Sequence, residues 1–254
     1  NALARNFAGG FWVGGAGWAA HFFYDYYLYT GDRTFLADHA LPFMEKAALF
    51  FEDYLYEGPD GRWVFSPTQS PENTPGNTKS QGTFNATMDV AVAKELLRNT
   101  IAASRELGRN QEKIARWQQM LGKMPDYMVD ERGIIKEWLT PLLANNDSHR
   151  HSSQLYPLYD GLPEDIARSA ELRAAFKKSI EFKLDSHWQN HQRGFMSFGL
   201  VQLGQASASL GERDLAERCL AQLVNRYWLN NLASTHNHRS LFNMDISGGM
   251  PSVI

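Results

Sequence analysis

Segments with the periodicity of long helices alternate in this sequence with short glycine turns and with long polar loops. A short turn joins two antiparallel helices, so the long loops then collect at the opposite end of the helix pairs. This pattern predicts an all-α protein built as an α/α toroid, a closed ring of helix pairs. An open α-solenoid is the alternative, but it would show a fixed repeat period, and the sequence has none. Helices are predicted over residues 16–29, 34–55, 87–107, 110–120, 164–184, 195–210 and 214–228.

Local signals define where several of these helices begin and end. Gly31 is suited to end one helix in a left-handed conformation, and Asp32 to cap the next one. Asn110 is expected to cap a further helix in the same way. Pro42 has no backbone N–H to donate, so it is expected to kink or split the helix over 34–55.

The helix over 16–29 is apolar or aromatic on almost every side. We expect such a helix to be buried on all sides, as part of an inner ring screened by an outer one. With the segment over 34–55 split in two at Pro42, we count eight helices and the start of a ninth, whereas a toroid of six helix pairs needs twelve. The sequence is therefore expected to begin within the fold at Asn1 and to lack its last helices, which would leave an incomplete toroid.

The composition disfavours several classes of protein. The 254 residues are 43% apolar with a formal net charge of −3, and no obvious linker divides them. No stripe of Lys and Arg is present, so we expect no nucleic-acid partner. No apolar run reaches the roughly 20 residues that span a membrane. Cys219 is the only cysteine, which rules out an internal disulfide framework.

The loop over 66–73, Ser-Pro-Thr-Gln-Ser-Pro-Glu-Asn, is the strongest candidate for a functional segment. Pro67 and Pro71 stiffen it, and a short strand is predicted before it over 61–65. Glu72 is therefore expected on a rigid loop between aromatic neighbours. Burial of that kind favours a protonated carboxyl group, which a general acid needs near neutral pH. A surface turn with a hydrated glutamate is the alternative reading of this local sequence.

Three further polar segments are expected on the long-loop side, namely Glu137-Trp138, residues 149–154 and residues 243–245. Asp245 in the last of these supplies a second carboxylate on a loop separate from that of Glu72. A pair of carboxylates is the minimal equipment for glycoside hydrolysis. Aromatic faces stack on sugar rings, and four tryptophans are expected to line the ring of helices: Trp12, Trp18, Trp138 and Trp188.

Two other chemistries were weighed against this one. The pairs His149/His151 and His236/His238 could form a zinc site. No accompanying helix carries the carboxylate and histidine of a metal signature, so we predict no metal and no cofactor. A serine or cysteine nucleophile is weaker still, because there is no Gly-x-Ser-x-Gly sequence and Cys219 lies within a predicted helix.

Several of these segments together resemble a known family. They are Trp12-Val-Gly-Gly-Ala-Gly-Trp18, Tyr29-Thr-Gly-Asp32, the loop over 66–73, Glu137-Trp138 and His149-Arg-His-Ser-Ser-Gln-Leu-Tyr-Pro-Leu-Tyr159. Their order and approximate spacing resemble glycoside hydrolase family 95, the inverting α-L-fucosidases. The histidine–arginine–histidine segment with its following leucine and tyrosines is the most specific part of this resemblance.

The resemblance implies that residues 1–254 are part of a single (α/α)6 catalytic domain. It further implies an inverting exo-glycosidase that removes terminal α-L-fucosyl, or the related α-L-galactosyl, residues from a carbohydrate substrate. The resemblance also favours an extracellular or periplasmic location for the protein. The remaining N-terminal and C-terminal portions of the same fold would be partners of this chain.

Site residues follow from the same resemblance. Glu72 matches the general acid of the family and Asp245 its base-side aspartate, so an inverting pair predicts a separation of roughly 6.5–9.5 Å between the carboxyl groups. Arg150 and His151 match the pair that contacts the sugar. Three further residues are predicted to bind substrate: Trp12, His21 and Trp138.

The chain departs from the family pattern at three places. Gln154 stands where a second histidine is usual, and Ile246 replaces the glycine that normally follows the aspartate. The two asparagines that polarise the water in the family come from a segment before the match, and this sequence lacks them. An inactive or sugar-binding relative is therefore the alternative function. A phosphorylase on the same fold is a third reading, with Arg150 as its only candidate phosphate ligand.

Overall fold

The computed structural model describes residues 12–189 and 196–254, apart from the side chains of residues 187–189. The predicted loop around His191 and Arg193, the ring of Trp188 and the expected start at Asn1 lie outside the described residues. The helices are α1 (Gly15–Thr30), α2 (Arg33–Phe35), α3 (Leu41–Tyr54), α4 (Thr87–Glu106), α5 (Gln111–Gly122), α6 (Glu164–Ala167), α7 (Ala170–Gln189), α8 (Ser197–Leu210), α9 (Arg213–Gln222) and α10 (Asp245–Gly249). The strands are β1 (Tyr56–Glu57), β2 (Trp63–Val64), β3 (Thr235–Asn237) and β4 (Ser240–Phe242).

The chain divides into two compact units. The first comprises residues 1–72 and 80–126, and the second comprises residues 73–79 and 127–254. In the first unit α1 packs on α3 and α4, and α4 packs on α5. In the second unit α8 packs on both α7 and α9.

Helix α1 forms where it was predicted, but it is not buried on all sides. Only Gly17 and Ala20 are buried, whereas Phe22 has 54% of its surface exposed. The small residues explain this difference, because they let one face of α1 approach α4 closely. A Cβ atom on Gly17 would lie 2.6 Å from Cγ1 of Val92. The expectation of a helix screened on every side is therefore wrong for the described part of the chain.

The predicted turn between the first helices is confirmed. Gly31 has a φ of 68°, and its N–H donates to the carbonyl of Tyr27. The side chain of Asp32 accepts a hydrogen bond of 2.9 Å from the backbone N–H of Phe35. Pro42 does not split the helical segment, but the regular α-helix is interrupted just before it by a π-helical turn over Leu36–Ala40, which lies between α2 and α3.

The end of the first unit requires one correction. Asn110 stands at the start of α5 with a φ of 60°, but its side chain makes no capping bond to that helix. Its amide donates instead to Glu45 and, over 3.1 Å, to the hydroxyl of Ser104. The predicted strand over 61–65 is shorter than expected, since only β2 is present, paired antiparallel with β1.

Residues 133–163, which lie between two of the predicted helices, are largely irregular in the second unit. The regular structure in this region is limited to short elements, such as the 3-10 helix over Ser153–Leu158. The helix predicted over 164–184 is interrupted between α6 and α7, where the hydroxyl of Ser169 accepts from the N–H of Leu172. Strands β3 and β4, which were not predicted, form an antiparallel hairpin between α9 and α10.

The predicted fold class is confirmed, since both units are built mainly of helices that pack on one another, as the paired helices of an α/α toroid do. Among the described helices, none combines the length and the apolar character needed to cross a bilayer. Gly211 ends α8 with a φ of 76° before α9 begins, so this helix pair is also joined by a short glycine turn.

Candidate functional site

The loop that carries Glu72 is buried at its base and accessible at its tip. Thr68, Gln69 and Ser70 have no exposed surface, whereas Glu72 is only partly buried. The peptide bonds preceding Pro67 and Glu72 are both cis. A carboxyl group is thus held at the accessible end of a loop whose preceding residues are part of the core.

Hydrogen bonds within the first unit fix the backbone of this loop. The hydroxyl of Tyr54 donates to the carbonyl of Pro67 over 2.7 Å. Thr68 and Thr83 exchange two backbone hydrogen bonds of 2.9 and 2.8 Å. The amide of Gln81 donates to the carbonyl of Glu72 itself, over 3.0 Å. Glu72 is therefore placed by bonds on both sides of the loop, which favours a single geometry.

Asp89, in the first turn of α4, lies beneath the same loop and is fully buried. Its carboxyl group accepts a hydrogen bond from the hydroxyl of Thr68. The indole N–H of Trp12 and the backbone N–H groups of Gln69 and Gly14 also face this carboxyl group. Burial raises the pKa of Asp89 to about 8, and the surrounding donors offset only part of that rise. The group is therefore protonated near neutral pH.

Trp12 and His21, both predicted to bind the sugar, lie in the first unit with Glu72. Nδ1 of His21 lies 2.7 Å from a carboxylate oxygen of Glu95, and Nε2 lies 2.9 Å from one of Asp25. A neutral imidazole has a single N–H, so two such contacts need a doubly protonated ring or a protonated carboxyl group. Both ring nitrogens already have carboxylate partners, and the contact of His21 with a sugar stays a prediction.

Arg150 and His151, the predicted sugar-contacting pair, lie in the second unit on the segment before the 3-10 helix. The ring of His151 meets that of Phe198 edge to face, with centroids 5.6 Å apart. Nδ1 of His149 accepts from the backbone N–H of His151 over 3.2 Å. Burial, followed by the nearby positive charges, lowers the pKa of His149 to about 3, so its ring is neutral and can act as this acceptor.

Three side chains hydrogen-bond to the backbone of this segment, two of them from neighbouring helices. Nζ of Lys183 on α7 lies within 3.2 Å of the carbonyl oxygens of Asp147, His149 and His151. Oε1 of Gln202 on α8 accepts from the N–H of Ser152 over 3.1 Å. The hydroxyl of Tyr159 donates to the carbonyl of Ser152 over 2.7 Å. The two predicted sugar contacts are thus presented by a fixed backbone.

Glu137 and Trp138 form a buried part of the second unit. Glu137 is 1% exposed and accepts a 2.6 Å hydrogen bond from the amide of Asn73. The same amide donates to the carbonyl of Asn146. Trp138 has no exposed surface at all. The ring of Trp138 therefore belongs to the core of the second unit, and its contact with substrate stays a prediction.

Asp245 is exposed at the first residue of α10, in the second unit. Its Oδ2 accepts a 2.7 Å hydrogen bond from the amide of Asn243, whose Oδ1 in turn accepts from the N–H of Asp245 over 2.9 Å. Asn243 therefore fixes the start of the helix, and the carboxylate of Asp245 is not used as a cap. Glu72 belongs to the other unit, so the distance between the two carboxyl groups stays a prediction.

The histidines considered for zinc have protein partners in the described part of the chain. Nδ1 of His236 lies 3.0 Å from the side-chain oxygen of Asn237, and Nδ1 of His238 lies 3.0 Å from the carbonyl of Arg226. His149 uses its Nδ1 for the backbone of His151, as described above. Three of these four histidines therefore use Nδ1 for a local contact.

Sequence reasoning missed Asp89 and Lys183. Asp89 looked like an ordinary acidic residue in the first turn of a helix, a position where carboxylates are common. For Lys183 a signal existed, because it lies three residues after Ile180 and seven after Phe176. That spacing puts the lysine on the apolar face of α7, where a charge needs a partner.

Comparisons with known proteins agree with this arrangement of motifs. The family model described as "Glycosyl hydrolase family 95 catalytic domain" matches residues 2–254. Alpha-L-fucosidase 2 of Arabidopsis thaliana is 29% identical over 174 residues, which cover 67% of this chain and 21% of that protein. Probable alpha-fucosidase A of Aspergillus niger is 28% identical over 149 residues, covering 57% and 18%. The chain thus spans about a fifth of the length of these relatives.

A solved structure also aligns with the chain, a putative kojibiose phosphorylase from human microbiome. The TM-score of this alignment is 0.41 at 11% identity, over 79% of this chain and 33% of that one. A similarity of this size establishes neither fold nor function. The match to the family model, by contrast, runs through nearly the whole sequence and includes the loop of Glu72. The chain therefore belongs to glycosyl hydrolase family 95, within its catalytic domain.

Proposed function

We propose that the protein containing this chain is an inverting exo-glycosidase that removes terminal α-L-fucosyl, or related α-L-galactosyl, residues from oligosaccharides or glycans. Membership of the family supports a glycoside hydrolase, and the names of two relatives support the fucosyl group. The observation that carries the proposal is the setting of Glu72. Glu72 lies at the accessible end of a loop anchored in the core, and the resemblance of the 66–73 motif to the family assigns it the role of general acid.

Glu72 and Asp245 divide the work of hydrolysis in this proposal. Glu72 gives its proton to the glycosidic oxygen as the bond to the anomeric carbon breaks. A water molecule attacks the same carbon from the opposite face, and Asp245 on that side takes up the proton that the water loses. The products are an alcohol and a sugar of inverted anomeric configuration. The bond from Asn243 keeps the carboxylate of Asp245 oriented for this step.

Arg150 and His151 hold the sugar in this proposal, and their chemistry suits that task. A guanidinium group and an imidazole supply N–H donors for hydroxyl groups. Trp12 offers an aromatic face to the sugar. Its ring also contacts that of Trp18, with the two ring centroids 6.1 Å apart. Fucose and L-galactose differ by one hydroxyl group at C6, so contacts with that position decide between them.

The stereochemistry of the product tests the proposal. The full-length protein is mixed with an α-L-fucosyl oligosaccharide, and proton NMR follows the anomeric signals of the released sugar from the first minutes. We expect β-L-fucose first, before mutarotation mixes the two anomers. Initial release of the α anomer would reject the inverting mechanism.

Two further outcomes address the alternatives. Binding of the oligosaccharide without release of sugar, seen by calorimetry, would favour the sugar-binding relative. Release of a sugar phosphate only in the presence of inorganic phosphate would favour the phosphorylase. The control is Glu72→Gln, which should still bind the oligosaccharide while its release of fucose is lost.

A further inference from the structure

Lys183, in the second unit, hydrogen-bonds to the backbone of the segment that carries Arg150 and His151. Lys183 lies on the inner face of α7 with only 2% of its surface exposed. Its neighbours on that face, Phe176 and Ile180, are fully buried. Burying an ammonium group costs free energy unless it is well hydrogen-bonded, so the contacts of this lysine explain why it is tolerated there.

The contacts of Lys183 form a regular set. Its Nζ lies 3.2 Å from the carbonyl oxygen of Asp147, 3.0 Å from that of His149 and 3.2 Å from that of His151. An ammonium group has three N–H donors, and these three acceptors use all of them. Hydrogen bonds from a charged donor are also stronger than those between neutral groups. One side chain therefore gathers three alternate carbonyl groups of a segment that has no regular secondary structure.

The same segment is closely packed from the other side. A Cβ atom on Gly199, near the start of α8, would lie only 2.4 Å from the carbonyl oxygen of Arg150. Any larger residue at this position would force the backbone of Arg150 to move. Gly199 thus lets α8 contact the carbonyl group of Arg150, which lies between two carbonyl groups that Lys183 binds.

We propose that Lys183 is a positioning residue, which sets the backbone of residues 147–151 so that Arg150 and His151 can bind the sugar. Gly199 supports the same backbone through its lack of a side chain. Lys183 itself makes no contact with substrate in this account, because its three donors are used by carbonyl groups. The inference rests on the proposed function for its effect on substrate, but not for its effect on the backbone.

Kinetics of the full-length protein test the effect of Lys183 on substrate binding. Lys183→Met removes the ammonium group and keeps the volume, and Lys177→Met is the matched control. Lys177 lies on the same helix, but its Nζ is paired with Glu212 at the surface. Loss of buried bonds to a charged group predicts a rise in KM for an α-L-fucosyl substrate of about tenfold or more in Lys183→Met, with a smaller change in kcat. The control should match wild type.

A merely structural lysine would give a different result. Misfolding of part of the sample lowers the concentration of active enzyme, so the apparent kcat falls while KM stays at its wild-type value. That outcome for Lys183→Met would overturn the proposal. Gly199→Ala perturbs the same backbone independently and should also raise KM. Its control is Gly204→Ala on the same helix, where a Cβ atom would meet the side chain of Val253 instead.

Hydrogen–deuterium exchange read by mass spectrometry tests the effect on the backbone without any substrate. Peptides covering residues 146–152 should exchange faster in Lys183→Met and in Gly199→Ala, and at the wild-type rate in both controls. Unchanged exchange in these peptides would overturn the proposal whether or not the protein hydrolyses fucosides. A wild-type protein that shows the predicted exchange pattern but no hydrolysis would instead reject the proposed function. If Lys183→Met does not fold, Gly199→Ala decides the question by the same two measurements.

Discussion

Asp89 accepts a hydrogen bond from the hydroxyl group of Thr68, and this contact joins the start of α4 to the base of the loop that carries Glu72. Both residues are fully buried. The loop is therefore fixed four residues before Glu72 by a carboxyl group that water does not reach. Because burial favours the neutral form of that group, the anchor depends on pH.

Asp89→Asn tests this dependence. The pKa of Asp89 rises from 3.8 to about 8 on folding because the group is buried, so the folded state binds the proton more tightly than the unfolded state. The stability from this group is complete below about pH 4 and is lost as the pH rises towards about 8. The asparagine variant should lose this part of the pH dependence in thermal unfolding. Asp126→Asn, at a side chain 79% exposed, should keep it. Parallel curves for wild type and Asp89→Asn would contradict the assignment.

Gly17→Ala tests the close approach of α1 to α4. The added Cβ atom would lie 2.6 Å from Cγ1 of Val92, whereas at Gly15, on the same helix, the nearest atoms would be 3.8 Å away. Alanine improves helix propensity at both positions, but overpacking costs about 1–3 kcal/mol. We expect Gly17→Ala to be less stable than Gly15→Ala by about that amount in denaturant unfolding. Equal stabilities would show that the two helices separate without cost.

The parts of the fold that were predictable are those that depend on nearby residues. The turn at Gly31 and the irregular helical turn before Pro42 follow from backbone preferences of single residues, so the sequence indicated both. The exposure of α1 could not be read in this way, because an apolar helix does not show which of its faces finds a partner. The hairpin of β3 and β4 was missed since its three-residue strands are too short for an alternating pattern.

The site shows the same division. Glu72, with its two prolines, formed a motif that could be recognised in the sequence. Asp89 hydrogen-bonds to Thr68, which is 21 positions away in the sequence, and Lys183 hydrogen-bonds to Asp147, which is 36 positions away. Such pairings depend on the packing of helices, which a local pattern does not contain. The burial of Trp138 could not be predicted for the same reason, because only the packed structure shows that its ring is enclosed.

Glu72→Gln tests the role of the general acid. Natural oligosaccharides have poor leaving groups that need a proton, whereas activated aryl fucosides leave without one. We expect hydrolysis of the oligosaccharide to fall by roughly 10²–10⁴-fold and that of the aryl fucoside by much less. Glu112→Gln, at an exposed position of α5, is the control and should retain both activities. Equal losses on the two substrates would remove Glu72 from the acid role.

His151→Phe tests the sugar contact of the second unit. Phenylalanine can keep the edge-to-face contact with Phe198 but has no N–H to offer a hydroxyl group. Substrate affinity should therefore fall by about tenfold, with the melting temperature close to that of wild type. His39→Phe replaces an exposed histidine that packs on Phe35 and should change neither quantity. A lower melting temperature with unchanged KM would identify His151 as structural.

Asp245→Asn tests the base side of the reaction and should behave differently from Glu72→Gln. Activation of the water is needed whatever the leaving group, so the loss should be similar for the oligosaccharide and the aryl fucoside, roughly 10²–10⁴-fold in each case. Asparagine keeps the size of the side chain and an oxygen that can accept from Asn243. The start of α10 should therefore be preserved, and the melting temperature should stay near the wild-type value. Asp185→Asn, at an exposed residue paired with Arg218, is the control. Rates that fall only for the oligosaccharide would make Asp245 part of the proton donation to the leaving group, and the assignment of a base-side aspartate would be wrong.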